Sequence, residues 1–184
     1  RDYIDLAGKL GTPFIRVLGD ISPEPSKEVN PDYVKENLRM LGGYAKDKGV
    51  KVLIETNGFF SSSKNMLDLL EKANDDENIG VLWDIHHPFR FFGEPVEETY
   101  NALKEYIEFI HLKDSCIEDR KVRYKMIGSG DIPVKNALKL LKDNGYEGYV
   151  SLEWVKRWKM DLEEPGIVFS HFINYVRRVC AQLG

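Results

Sequence analysis

The chain has 184 residues, 42% hydrophobic and 30% charged, which is enough to bury a real core and suits one domain, residues 1–184. A net charge of −4 without a basic stripe gives no general pull toward nucleic acid, and no apolar run approaches the roughly 18 residues of a membrane span. Two cysteines, Cys116 and Cys180, stand far apart in no metal-type pair and fit a reduced, cytoplasmic protein.

In chain order, RDYIDLAGKLG has apolar residues at helical spacing and a glycine stop, then runs straight into a strand. It reads as a helix whose preceding strand is missing. Short apolar runs then predict buried strands around Ile15 to Leu18, Val52 to Glu55, Val81 to Asp84, Phe109 to Lys113 and Val150 to Trp154. Helical patterns separate them: Asp32 to Asp47, opened by Asn30-Pro31, then Lys64 to Ala73, Val96 to Leu103, Val134 to Asp143 and Ile167 to Leu183. Ser115 to Asp131 reads as a loop. Strand and helix in alternation predict an α/β fold with five parallel strands, part of a (β/α)8 barrel. Three more units of roughly 30 residues complete such a barrel. The expected sheet is therefore open, edged by the Arg16 and Glu153 strands, with helices on its outer face. Its bare edges and apolar inner face lead us to expect either a missing N-terminal segment or a homo-oligomer, with a symmetric dimer preferred.

In parallel α/β folds all strand C-termini point to one end, and sites assemble there. The last four strands each carry an ionisable residue at the tip: Glu55, Asp84, His111 and Glu153, spaced 29, 27 and 42 positions apart. Strands also end in polar residues simply because they meet solvent, but three carboxylates and one imidazole form a hard, oxygen-rich set. That set suits one divalent metal: Mn2+, Mg2+, Co2+ or, less naturally, Zn2+. Without a cation the crowded carboxylates repel one another. Strand alternation puts Lys113 on the face of His111, in reach of substrate oxygen or of a neighbouring acid. Arg16, in an apolar strand, needs a partner or faces the site. Trp154 and the residues after it read as a pocket wall. Gly128-Ser129-Gly130-Asp131 suits a tight turn better than a phosphate cradle.

The ordered set IETNG, WDIHHP, HLKD, GSGD and SLEW resembles the sugar phosphate isomerase/epimerase group of xylose isomerase-like TIM barrels, over the last five of eight βα units. The resemblance implies that Glu55, Asp84, His111 and Glu153 hold one divalent metal and that His87, three residues after Asp84, contacts substrate. His86 is then a structural neighbour. It further implies a sugar or sugar phosphate as substrate and enediolate-type proton transfer, with Glu55 and Glu153 as acid and base. Two family features are absent: no second acid follows Glu55, and no arginine aligns in the loop after strand seven. Three other readings compete. One is a Schiff-base aldolase using Lys113. Another is a phosphodiester nuclease, disfavoured by the acidic balance and only four histidines. The third is an inactive partial barrel that serves as a binding module.

Overall fold

A computed structural model describes residues 1–73 and 78–183. The elements are α1 (Asp2–Leu10), β1 (Phe14–Val17), α2 (Pro31–Lys46), β2 (Lys51–Glu55), α3 (Ser63–Ala73), β3 (Ile79–Asp84), α4 (Val96–Leu103) and β4 (Ile107–Leu112), followed by β5 (Asp114–Glu118), β6 (Lys121–Lys125), α5 (Val134–Asp143), β7 (Tyr149–Leu152) and α6 (Pro165–Gln182). Local chemistry sets several boundaries. The Asn30 side chain accepts the Tyr33 N–H at 3.1 Å and Pro31 occupies the first turn, so α2 starts there. Gly11 takes a left-handed conformation (φ 66°) and returns its N–H to the carbonyls of Ala7 and Gly8, which ends α1.

The main sheet runs β1-β2-β3-β4-β7, and every pairing is parallel. Alternation divides each strand between two environments. Val52, Ile54, Val81, Trp83, Ile110 and Leu112 join the helices in one buried cluster. Leu53 and Leu82 are buried but lie outside that cluster, on the opposite face. That second face carries the chemistry at its C-terminal end. As expected, the sheet edges are β1 and β7.

The sheet is strongly curled. In a flat sheet β1 and β7 lie four strand spacings apart, about 19 Å. Arg16 of β1 nevertheless donates to Glu153, just past β7, at 3.2 Å. Two side chains meet across that span only if the sheet wraps toward closure, as barrel strands do. The five parallel strands alternating with helices therefore form part of a TIM barrel.

The expected loop from Ser115 is largely an antiparallel hairpin, β5 with β6, turning at Asp119 and Arg120 between the paired Glu118 and Lys121. Both turn residues are left-handed, with φ of 50° and 61°. Such turns usually announce themselves with Asn-Gly or Asp-Gly; Asp-Arg does not, so the sequence pattern concealed it. A left-handed arginine carries a steric cost of about 1 kcal/mol that glycine avoids. Arg120→Gly is expected to raise unfolding stability by about that amount, read by urea denaturation. A destabilised variant contradicts the turn assignment.

Candidate functional site

Glu55 and Asp84 are the last residues of β2 and β3, and His111 pairs with Asp84 in register on β4. Glu153 extends the ladder one step beyond β7, its N–H donating to the Leu112 carbonyl at 3.0 Å. The sheet thus delivers four side chains to one place: one potential ligand atom from each lies within 4.8 Å of all the others. Bonds of 2.0–2.3 Å to one ion put opposite ligands about 4.4 Å apart, so the cluster has the right size. His111 Nδ1 is buried and has no hydrogen-bond partner. An orphaned imidazole nitrogen beside three carboxylates is the donor set a divalent ion requires, and the residues fit the group.

The electrostatics explain why the cluster needs positive charge. Glu55 is 1% exposed, and its carboxyl is pushed up to about 8, first by burial and then by Asp84 and Glu153. Arg16 opposes this, donating to Glu55 at 2.7 Å and to Glu153. Burial resists ionisation of Asp84 as well, but the surrounding positive charge outweighs it and holds the carboxyl below its ordinary range. Lys113, 3% exposed, donates to Asp84 Oδ2 at 2.8 Å, to the Glu153 carboxylate and to His87 Nε2 at 2.9 Å. Burial pulls the Lys113 amine down, but Asp84 and Glu153 overcome that and raise it. A Schiff-base lysine needs the opposite, a lowered pKa. Burial also lowers His111 and His87, which favours the neutral imidazole with a free lone pair.

His87 is fixed by its neighbours. The Thr56 carbonyl, which only accepts, lies 2.8 Å from Nδ1, so Nδ1 carries the proton and Nε2 accepts from Lys113. His86 is not among the four converged ligands, although it forms a second ligand-type group with Asp84 and His87: its ring bonds Ser115 Oγ at 2.8 Å and lies against Tyr124. Arg16, Glu55, His87, Lys113 and Glu153 share a cavity of about 420 Å3. Its remaining wall includes Trp158, expected there from the run after Glu153, and Ile21, Asn57 and Tyr124, which the sequence pattern did not single out for the site. Tyr124 arrives on the hairpin. Trp154 instead donates its indole N–H to the Glu163 carbonyl at 2.9 Å, and Val155, Trp158 and Lys159 form the wall from that loop.

Two buried aspartates hold the surrounding loops. Asp20 accepts the backbone N–H groups of Ile21, Ser26 and Phe59 at 2.7–3.0 Å, tying the loop after β1 to the loop after β2. Gly58 is needed there: it sits at φ 55°, and a Cβ would fall 2.4 Å from the Asp20 carboxylate. Asp114 accepts from Ser115, Gly128, Gly130 and Ile132 at 2.8–3.2 Å. The glycine amides that a phosphate cradle would offer are therefore already used by Asp114.

Comparison with known proteins agrees with this architecture. The sequence profile described as Xylose isomerase-like TIM barrel matches residues 1–168. An inosose dehydratase of Clostridium perfringens is 29% identical over 134 residues, covering 64% of this chain and 45% of that protein. A fructoselysine 3-epimerase of Escherichia coli is 27% identical over 134 residues, covering 71% of this chain and 46% of that protein. A crystal structure of a xylose isomerase-like TIM barrel protein from Mycobacterium smegmatis, in complex with magnesium, superposes with a TM-score of 0.73 at 16% identity, over 99% of this chain and 66% of that one. The chain spans about half the length of the curated relatives it matches. It belongs to the xylose isomerase-like TIM barrel family.

The raised Glu55 carboxyl has a measurable consequence for the metal-free protein. Unfolded, Glu55 ionises near 4.5; folded, it keeps its proton to about 8. Between those values the unfolded state binds fewer protons, so this group's contribution to stability falls as pH rises and levels off above about 8. Chelator-treated protein is expected to show that decline in its urea midpoint. Glu55→Gln, uncharged throughout, is expected to remove it, and an unchanged slope in the variant contradicts the assignment.

Proposed function

We propose that Glu55, Asp84, His111 and Glu153 hold one divalent ion, Mn2+, Mg2+, Co2+ or Zn2+, and that the site moves a proton next to a carbonyl of a sugar or related polyhydroxy ketone. The convergence of four ligand-type atoms from four neighbouring parallel strands, within 4.8 Å of one another, carries this reading. The bound ion supplies Lewis-acid polarisation of a carbonyl oxygen. The chain supplies the rest. Glu153, partly exposed in the cavity, and Glu55, two strands beyond Asp84's neighbour β4 on the other side of the cluster, form the acid–base pair. His87, its tautomer fixed by Thr56 and its Nε2 accepting from Lys113, lines the cavity where substrate binds. Arg16 makes the wall positive where electron-rich oxygens bind, and Trp158 offers an apolar face to a sugar ring.

Return of the proton gives isomerisation or epimerisation. A second outcome, loss of a neighbouring hydroxyl as water, starts from the same proton removal and is favoured by the similarity to inosose dehydratases. Lys113, held protonated by two carboxylates, argues against the aldolase alternative.

Incubation of the Mn2+-loaded protein with D-fructose, and separately with inosose, in D2O separates these readings. Deuterium beside the carbonyl with the hydroxyls retained marks an isomerase or epimerase, and loss of water marks a dehydratase. Glu153→Gln is expected to keep the fold and slow exchange by about 100-fold or more. Wild-type exchange in that variant excludes Glu153 as acid or base. Absence of exchange with both ketones in metal-loaded wild type favours the binding-module reading.

A further inference from the structure

The Lys113 amine occupies the position that the proposed ion has to share. Asp84 has two oxygens: Oδ1 accepts the His86 backbone N–H at 2.8 Å, and Oδ2 accepts from Lys113 at 2.8 Å. Glu153 is divided the same way, with Oε1 taken by Arg16 and Oε2 by Lys113. Glu55 Oε2 is taken by Arg16. Every carboxylate of the cluster is therefore already engaged by a cation of the protein, and Lys113 bridges two of the four groups assigned to the metal. His111 alone has its ligand nitrogen unclaimed.

We infer that Lys113 and the divalent ion are exclusive occupants of the notch between Asp84 and Glu153, and that ion binding turns the Lys113 amine into the adjoining cavity as a contact for an electron-rich substrate oxygen. This rests on the metal site proposed above. Two cations on one carboxylate oxygen repel each other and compete for the same lone pairs, and the ion, with the greater charge and the shorter bonds, displaces the amine. The amine has somewhere to go. Lys113 already lines the cavity of about 420 Å3 beside His87 and Tyr124. His87 Nε2 is one of its present acceptors, at 2.9 Å, so the amine keeps a partner as it leaves the carboxylates. The Tyr124 ring closes the same space from the hairpin, resting 5.7 Å from the His86 ring. In the ion-free protein Lys113 thus neutralises the cage; in the loaded protein it becomes a substrate contact. This two-state role gives a buried lysine a function among acids and imidazole.

The test uses Mn2+ alone, without substrate. Isothermal titration compares wild type with Lys113→Met, and the variant is expected to bind Mn2+ at least tenfold more tightly because its competitor is gone. Equal or weaker binding in the variant overturns the exchange. Because removing any nearby positive charge strengthens cation binding, a second measurement on wild type isolates displacement. Lys113 acetylation by acetic anhydride, followed by peptide mass spectrometry, is expected to accelerate about tenfold on saturation with Mg2+ as the amine leaves its buried bonds. An unchanged or slower rate overturns the inference, also if the variant fails to fold. Failure of the metal site itself looks different: neither wild type nor Lys113→Met binds Mn2+, and both proposals fall together. Binding by wild type without faster acetylation removes the exchange and leaves the metal site standing.

Discussion

The direction of the strands governs everything else in this molecule. Because all five strands of the main sheet are parallel, their C-terminal tips lie at one end. Because the sheet curls, tips that a flat sheet separates are brought together, and Arg16 of the first strand reaches both Glu55 and Glu153. Neither feature works alone. A flat parallel sheet leaves a row of ionisable residues too far apart to share an ion; a curled antiparallel sheet sends half of them to the wrong end.

Concentrating three carboxylates in that way is costly, and the chain answers with two cations on the same face. Arg16 of β1 and Lys113, just past the end of β4, between them engage Glu55, Asp84 and Glu153. The raised carboxyl of Glu55 shows that the compensation is incomplete. The site therefore keeps a demand for further positive charge, and His111 Nδ1 is left buried without a hydrogen-bond partner. A fold held by fully satisfied ion pairs has neither. The loops around the site are, by contrast, tightly satisfied: the Asp20 and Asp114 carboxylates between them take up seven backbone N–H groups. The rigid rim and the unsatisfied centre divide structure from chemistry.

Much of this was legible from the amino-acid sequence because buried parallel strands write short apolar runs, and a polar residue at the end of each run stands out. Glu55, Asp84, His111 and Glu153 were visible for that reason, and the edge positions of the Arg16 and Glu153 strands followed from chain order. What escaped depended on contacts distant in sequence or on atypical local signals. The β5–β6 hairpin turns on Asp119-Arg120, without glycine, and so Tyr124 was not placed over the site. Asp20 and Asp114 each follow or precede unremarkable loop residues; their partners, up to 39 positions away, define their roles. The run from Trp154 to Trp158 reads as a pocket wall in the sequence, and only the fold shows that Trp158 lines the cavity while Trp154 bonds within the loop.

The proposed metal centre draws its four ligands from four strand tips. Anomalous diffraction from crystals soaked in Mn2+ tests it most directly. One strong peak is expected, bonded at about 2.0–2.3 Å to Glu55, Asp84, His111 and Glu153. A Mn2+ peak elsewhere, or crystals in which Lys113 and Arg16 keep all three carboxylates at saturating Mn2+, would contradict it.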